Sequence, residues 1–290
     1  MMSDWLQIFV GASTNAAIYS LLAFSLVLVY RGSGIVNFGV GYLAIFAGIF
    51  FANQGSGGWM ALLLTLAVGG ALGAGMYLAS VVWGERFGAS HAAIAIATLG
   101  FGMILDYYAG VFWEPQGFTR APLISGSFKA AGVTITYQRL LTVTVALVCF
   151  GLVLLLIERT TIGWSLEAVA FRPSTAASYG INVLVTMVLV WVLAGAVAAL
   201  GGALLAPVAS VSRPLALTLA IKGFASAVIG GIGSIGGAVV GAIIVAFTEA
   251  LFIRYVSPSY ASAFAFVLLF IVLALRPQGV VGNKRQVVRT

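Results

Sequence analysis

The fold class this sequence predicts is an all-α polytopic membrane protein, on three observations. Hydrophobic residues make up 62% of the 290 residues and charged ones 7%, where a soluble domain carries about 25% charged residues. Apolar runs of membrane length recur without period-2 alternation, which selects helices over a barrel because a spanning helix satisfies its own backbone groups. The polar breaks between the runs are short and hold most of the basic residues. The expectation is a single transmembrane domain over 1–290, with eight or nine transmembrane or re-entrant helices, a Gly-rich break near 230–237 and one cytoplasmic helix.

Taken in order, Trp5 to Tyr30 is uncharged and is followed by Arg31, which under the positive-inside rule puts the N-terminus outside. Met-Met-Ser-Asp-Trp has neither the basic n-region nor the small-residue cleavage site of a signal peptide, so the first run is expected to be retained. Ile35 to Ala52 returns outward, and Trp59 to Trp83 comes back to Glu85-Arg86. Ala92 to Trp113 carries Asp106 and opens into an external segment, Glu114 to Gln138, with an alternating Val-Thr-Ile-Thr-Tyr stretch. Leu140 to Ile157 leads inward to the polar segment Glu158 to Asn182, and Val183 to Val208 leads out again. Leu215 to Ile232, Gly236 to Val256 and Ala261 to Leu275 complete nine runs.

Whether Leu215 to Ile232 crosses fully decides between nine spans and eight. With nine, Arg31, Arg86, Arg159, Arg172, Arg276, Lys284, Arg285 and Arg289 lie inside. Arg120, Lys129, Arg139, Arg213 and Arg254 lie outside, and Lys222 is intramembrane. Eight spans would move the C-terminal basic residues outside and reverse the bias, so nine and a cytoplasmic C-terminus are preferred.

The net charge of +7 accords with this topology and forms no stripe with interleaved aromatics, so no nucleic-acid partner is expected; the partner is the lipid bilayer. Cys149 is the only cysteine and His91 the only histidine, which excludes an intrachain disulfide and a multi-histidine metal centre. No cofactor site is expected. There is no Gly-Lys-Ser/Thr phosphate loop, His-Glu-x-x-His motif or Gly-x-Ser-x-Gly elbow, so neither ATP hydrolysis nor intramembrane catalysis is expected of this chain.

In the polar segment, Ser165 is placed to cap a short helix with Glu167 in its first turn, Pro173 to interrupt it and Gly180 to close the segment beyond the proline. In the Gly-rich run, Gly233, Gly237 and Gly241 stand at i, i+4, i+8, either a stripe for close helix packing or a mobile break between half-helices. At 1.5 Å per residue, Asp106 lies about 21 Å from the inner start of its helix and Glu249 about 20 Å from Gly236, with Lys222 about 10 Å deep from outside. The three can share one level, so Lys222 is expected to pair with Glu249 or Asp106, or to serve solute passage directly. Thr14, Asn15 and Ser20 on the first helix, Asn37 at the start of the second, and Thr98 in line with Gly102 and Asp106 on the fourth are the few uncharged polar groups inside spans. A translocation pathway built from Thr14, Asn15, Asn37, Thr98, Lys222 and Glu249 would be mostly apolar and suit a greasy solute. Taken singly, each of the uncharged ones is more often an interhelical hydrogen bonder.

Four stretches resemble the permease subunits of ATP-binding-cassette importers for branched-chain amino acids, the LivH type, over nearly the full length. They are Tyr19 to Phe38, ending Gly-Ile-Val-Asn-Phe; Arg159-Thr-Thr-Ile-Gly with Tyr179-Gly-Ile-Asn; the run from Lys222-Gly-Phe-Ala-Ser to Gly241; and Arg276-Pro-Gln-Gly-Val-Val-Gly. The resemblance implies a bacterial inner-membrane complex with a second, LivM-like permease, two ATP-binding subunits and a periplasmic solute-binding protein. It implies that the 158–182 loop holds a coupling helix that docks on the ATPase, with Thr160, Gly163, Ser165, Glu167, Ala168, Arg172, Ala177 and Gly180 as the coupling residues and Ser165 to Arg172 as the helix. Two departures stand out. Asn37-Phe38-Gly39-Val40-Gly41-Tyr42 replaces the family's usual Asn-Phe-Ala-His-Gly-Glu, and Trp164 and Glu167 occupy positions often held by arginine, as if the cognate ATPase surface were altered to receive Glu167. The competing class is a self-sufficient secondary carrier or channel in which the intramembrane charges bind the coupling ion.

Overall fold

The computed structural model describes residues 2–55, 57–113, 117–130, 132–276 and 278–281. Glu114, Pro277 and the C-terminal Lys284, Arg285 and Arg289 of the charge count lie outside the described residues. The first helix, α1 (Met2–Ser33), is the axis of the fold. Its apolar residues ring the helix instead of lining one face, as a helix buried all round requires, and from Ile18 to Val29 it is almost wholly buried.

After it come α2 (Val40–Asn53), α3 (Gly58–Arg86, with a π-helical stretch at Tyr77–Val82) and α4 (His91–Phe112). A hairpin comes next, β1 (Ser127–Ala130) pairing antiparallel with β2 (Val133–Thr136), Ser127 opposite Thr136. The Val-Thr-Ile-Thr alternation is therefore a real strand, with Ile135 buried and β2 touching α1. After it come α5 (Tyr137–Arg159), α6 (Thr161–Phe171), α7 (Pro173–Ser178), α8 (Val183–Leu205), α9 (Leu215–Gly230), α10 (Ile235–Tyr255) and α11 (Ala261–Leu275). Helix starts are set by side-chain caps: Ser90 accepts from Ala93 N, Asn182 from Val185 N and Ser234 from Gly237 N.

Among the described residues, six helices are long and apolar enough to cross a membrane: α1, α3, α4, α5, α8 and α10. Three apolar helices are shorter. At 1.5 Å per residue α2 and α9 reach about 21 and 24 Å, against about 30 Å of hydrocarbon. Each is preceded by irregular backbone, residues 34–39 before α2 and 206–214 before α9. Such backbone is tolerated at membrane depth when protein surrounds it, and Ile35, Asn37, Ala206 and Val211 are all buried.

Close packing rests on glycines where backbones meet. Gly69 and Gly73 of α3 lie against Gly195 of α8, and Gly48 of α2 against Gly202 of α8. Gly237 and Gly241 of α10 lie against Gly230 and Ser226 of α9. Gly233 does not join this stripe. With φ +97° it sits in the turn between α9 and α10, where Gly231 has φ +108°, so the Gly-rich break is a reversal at 231–234. The reversal is pinned: Val280 N donates to Ile229 O at 2.8 Å and Val281 N to Gly230 O at 3.1 Å. These bonds satisfy carbonyls at the end of α9, which is the physical link between the Gly-rich run and the Gly279-Val280-Val281 motif.

Candidate functional site

Two of the candidate residues, Lys222 and Glu249, meet inside the apolar core. Lys222 on α9 donates from Nζ to Glu249 Oε1 on α10 at 2.6 Å and to the Tyr19 hydroxyl on α1 at 3.1 Å. Tyr19 in turn donates to Glu249 Oε2 at 2.9 Å, and Nζ stands 5.3 Å from the Tyr19 ring. All three are buried. Each carboxylate oxygen thus has a donor, the condition under which a buried pair is tolerated. The cluster ties three helices together and is closed on itself. Positions 19, 222 and 249 share no local spacing, so only the fold joins Tyr19 to the pair.

Asp106 takes a different partner. Arg213, in the connector before α9, donates from Nε to Oδ1 at 3.2 Å and from Nη2 to Oδ2 at 2.8 Å. The side chains are 34% and 27% exposed, and with Tyr42, Pro214 and Leu217 they line a cavity of about 350 Å³. A pair this accessible is worth about 0–1 kcal/mol, whereas breaking a buried one costs about 3–5 kcal/mol. The two ion pairs are therefore unlike: Lys222–Glu249 is a buried fastener, and Asp106–Arg213 is accessible and held more loosely.

The remaining pathway candidates are held by local bonds. Thr98 accepts from Phe38 N at 3.0 Å and donates to Ala95 O, and Asn37 Oδ1 accepts from Gly39 N at 2.9 Å. Together they fix the irregular 34–39 segment against α4. Thr14 donates to Val10 O and Ser20 to Ala17 O, and Asn15 is half-buried on the same helix. None of the six lines the cavity beside Asp106. Ser20, with Phe9, Phe150 and Phe247, borders a separate apolar groove between α1, α5 and α10.

In the 158–182 loop the cap is Thr160, whose side chain accepts from Gly163 N, and the helix is Thr161–Phe171. Ser165 is therefore inside the helix and Glu167 is past its first turn, because Thr160 offers a hydroxyl one turn earlier. Gly163 lies directly against the Ile157 carbonyl, leaving no room for a side chain, and so lets α6 turn sharply off the end of α5. Leu166 and Val169 are buried, Ser165 and Ala168 half-buried. Pro173 opens α7, the position where its missing N–H costs nothing, and Gly180 closes it with φ +82°. Arg172, Ala177 and Gly180 are exposed.

Three aromatic side chains stand out among the exposed residues of this unit. Trp164, Phe171 and Tyr179 are 64%, 79% and 84% exposed. Trp164 and Phe171 stand seven residues apart, two turns along one face, a spacing readable in the sequence. Glu167, by contrast, has an internal partner: Arg31 Nη2, at the end of α1, reaches its Oε1 at 3.4 Å.

This architecture has known counterparts. The family described as branched-chain amino acid transport system / permease component matches residues 8–273. The chain belongs to that family. The permease protein BraD of a high-affinity branched-chain amino acid transport system in Pseudomonas aeruginosa is 28% identical, covering 96% of both chains. LivH of Escherichia coli K12, a permease protein of the same kind of system, is 27% identical over 96% of this chain and 95% of its own. A fructose import permease protein, FrcC of Rhizobium meliloti, is 28% identical over 74% of this chain and 71% of its own. Among solved structures, a chain of PsaBC from Streptococcus pneumoniae in complex with Fab superposes with TM-score 0.51 at 14% identity, over 96% and 97% of the two chains; it shows the fold alone. As a member of the permease family, the chain is a multi-pass membrane protein and a transport component.

Proposed function

We propose that the chain is the permease subunit of an ATP-driven importer that carries branched-chain or similarly apolar amino acids across the bacterial inner membrane. It works with a second permease, two ATP-binding subunits and a periplasmic solute-binding protein. The N-terminus faces outside and the C-terminus the cytoplasm. The observation that carries this reading is the α6–α7 unit. Buried Leu166 and Val169 fasten it to the membrane helices while Trp164, Phe171 and Tyr179 stand free on the other side, as an interface built around aromatic anchors requires. Closure of the ATP-bound subunits moves the docked α6 as a lever, and the permeases alternate between outward and inward access.

The competing reading, a self-sufficient carrier, needs its intramembrane charges to meet an ion or water. The closed Lys222–Glu249–Tyr19 cluster favours the importer. The test is to assemble the chain in lipid with candidate ATP-binding subunits and a second permease, then measure ATP hydrolysis and labelled leucine uptake with and without binding protein. Uptake that needs ATP and is stimulated by binding protein is expected. Uptake by this chain alone without nucleotide would overturn the reading.

A further inference from the structure

We propose that Asp106 and Arg213 form an exchangeable recognition site for the charged ends of a free α-amino acid, in which the solute's carboxylate takes the place of Asp106 on Arg213 and its ammonium is taken up by the released Asp106. The proposal rests on the reading of the chain as an amino-acid permease and names the residues that would contact the solute.

The geometry is that of a site already holding half of its ligand. Arg213 offers Nε and Nη2 side-on to the two oxygens of Asp106, at 3.2 and 2.8 Å. That paired-donor arrangement suits any carboxylate, an α-carboxylate included. The pair lines a cavity of about 350 Å³, within the range of small-molecule sites, and its other walls are Tyr42, Pro214 and Leu217, which suit an aliphatic side chain.

Space for the exchange is built into α4. Gly102, Asp106 and Gly110 stand at i, i+4, i+8 on one face. A side chain at Gly110 would collide with the Arg213 guanidinium, and one at Gly102 would press on the Tyr42 ring at 3.0 Å. The two glycines flanking Asp106 therefore make room for the other two polar members of the cavity. Charge is conserved through the exchange: a zwitterion adds no net charge, and every charged group leaves the cavity lining with a partner. A neutral solute such as a sugar offers no such exchange.

The experiment uses the assembled transporter in nanodiscs without binding protein, so that discrimination by the binding protein does not enter. Saturation-transfer NMR measures the relative affinities of leucine, leucinamide, which lacks the carboxylate, and 4-methylpentanoate, which lacks the ammonium. For the wild type, both analogues are expected to bind about tenfold more weakly than leucine, the loss of one charge-assisted contact. Arg213→Gln is expected to bring leucine down to the level of leucinamide, and Arg213→Lys, which keeps the charge without the fork, to fall between. Asp106→Asn is expected to weaken leucine while strengthening 4-methylpentanoate, because Arg213 is then free for it. The charge-swapped protein, Asp106→Arg with Arg213→Asp, is expected to regain wild-type thermal stability but not leucine binding. Unchanged ligand order in Arg213→Gln and Asp106→Asn, or full leucine binding by the swapped protein, overturns the proposal and leaves the permease reading standing. Absence of leucine binding and of ATP-linked leucine uptake in the wild type sinks both.

Discussion

Replacing Lys222 by Met removes the cation that Glu249 and Tyr19 share. The carboxylate is then left 4% exposed with the Tyr19 hydroxyl as its donor at 2.9 Å. Breaking a buried pair from one side costs about 3–5 kcal/mol, and because the hydroxyl still donates, the lower end, about 3 kcal/mol, is expected. Glu249→Leu leaves the ammonium with the same hydroxyl and a similar loss of about 3 kcal/mol. The double variant holds no buried charge and fills the same space with apolar atoms, so it should return to within about 1 kcal/mol of the wild type. The double-mutant cycle therefore predicts an interaction of about 5 kcal/mol. Equilibrium unfolding of the four proteins in mixed micelles, monitored by the fluorescence of buried Trp191, measures it. Single variants within about 0.5 kcal/mol of the wild type, or a double variant as unstable as the sum of the singles, would refute the assignment of this cluster as the tie between α1, α9 and α10.

Trp164→Ala and Phe171→Ala should each weaken association with the ATP-binding subunits about 10- to 30-fold, as loss of an aromatic anchor does, with thermal stability of the permease unchanged; pull-down titration and a melting curve separate the two effects. Glu167→Gln, which loses the accessible contact to Arg31, should cost no more than about 1 kcal/mol of stability while lowering leucine uptake per ATP hydrolysed; an unchanged ratio would confine the pair to decoration. Gly279→Ala forces a side chain into a φ of +78° and onto the backbone of Gly231, so it should destabilise by about 1–3 kcal/mol, read as a lower melting temperature and faster amide exchange at Val280 and Val281.

Much of the fold is legible in the sequence because a membrane imposes long apolar runs on every crossing. The boundaries of α4, α5, α8, α10 and α11 fall within three residues of the runs that predict them. The runs conceal where helix gives way to buried irregular backbone. Ile35 to Phe38 is interrupted by one polar residue, Asn37, but reads as part of the apolar run, and its irregular form is held by Thr98 accepting from Phe38 N, sixty residues away. The cap of α6 is open to misreading for a local reason: Thr160 and Ser165 are both cap-forming residues, and the choice falls on Thr160 because Gly163 must lie against the Ile157 carbonyl.

The ion pairs show the limit more sharply. Depth along a helix, read from residue count, puts Asp106, Lys222 and Glu249 at one level, but partner choice depends on which helices are neighbours. Because α1, α9 and α10 all pack against one another, Lys222 meets Glu249 and Tyr19, and Asp106 is left to the connector that carries Arg213. The same arrangement makes α1 one of the elements, with α5 and α8, against which α6 packs. Its end meets α6 at Arg31–Glu167 and at Gly32, which lies 3.0 Å from Leu166 by the position a side chain would take. Tyr19 sits twelve residues earlier, about 18 Å along an unbroken helix, bonded to both members of the buried pair. Sharp kinks in a helix arise at a proline, a Gly/Ser pair, a π-bulge or an inserted group, and between Tyr19 and Arg31 α1 contains none of the first three. α1 therefore links the α6 contact at Arg31 and Gly32 to the buried pair on α9 and α10.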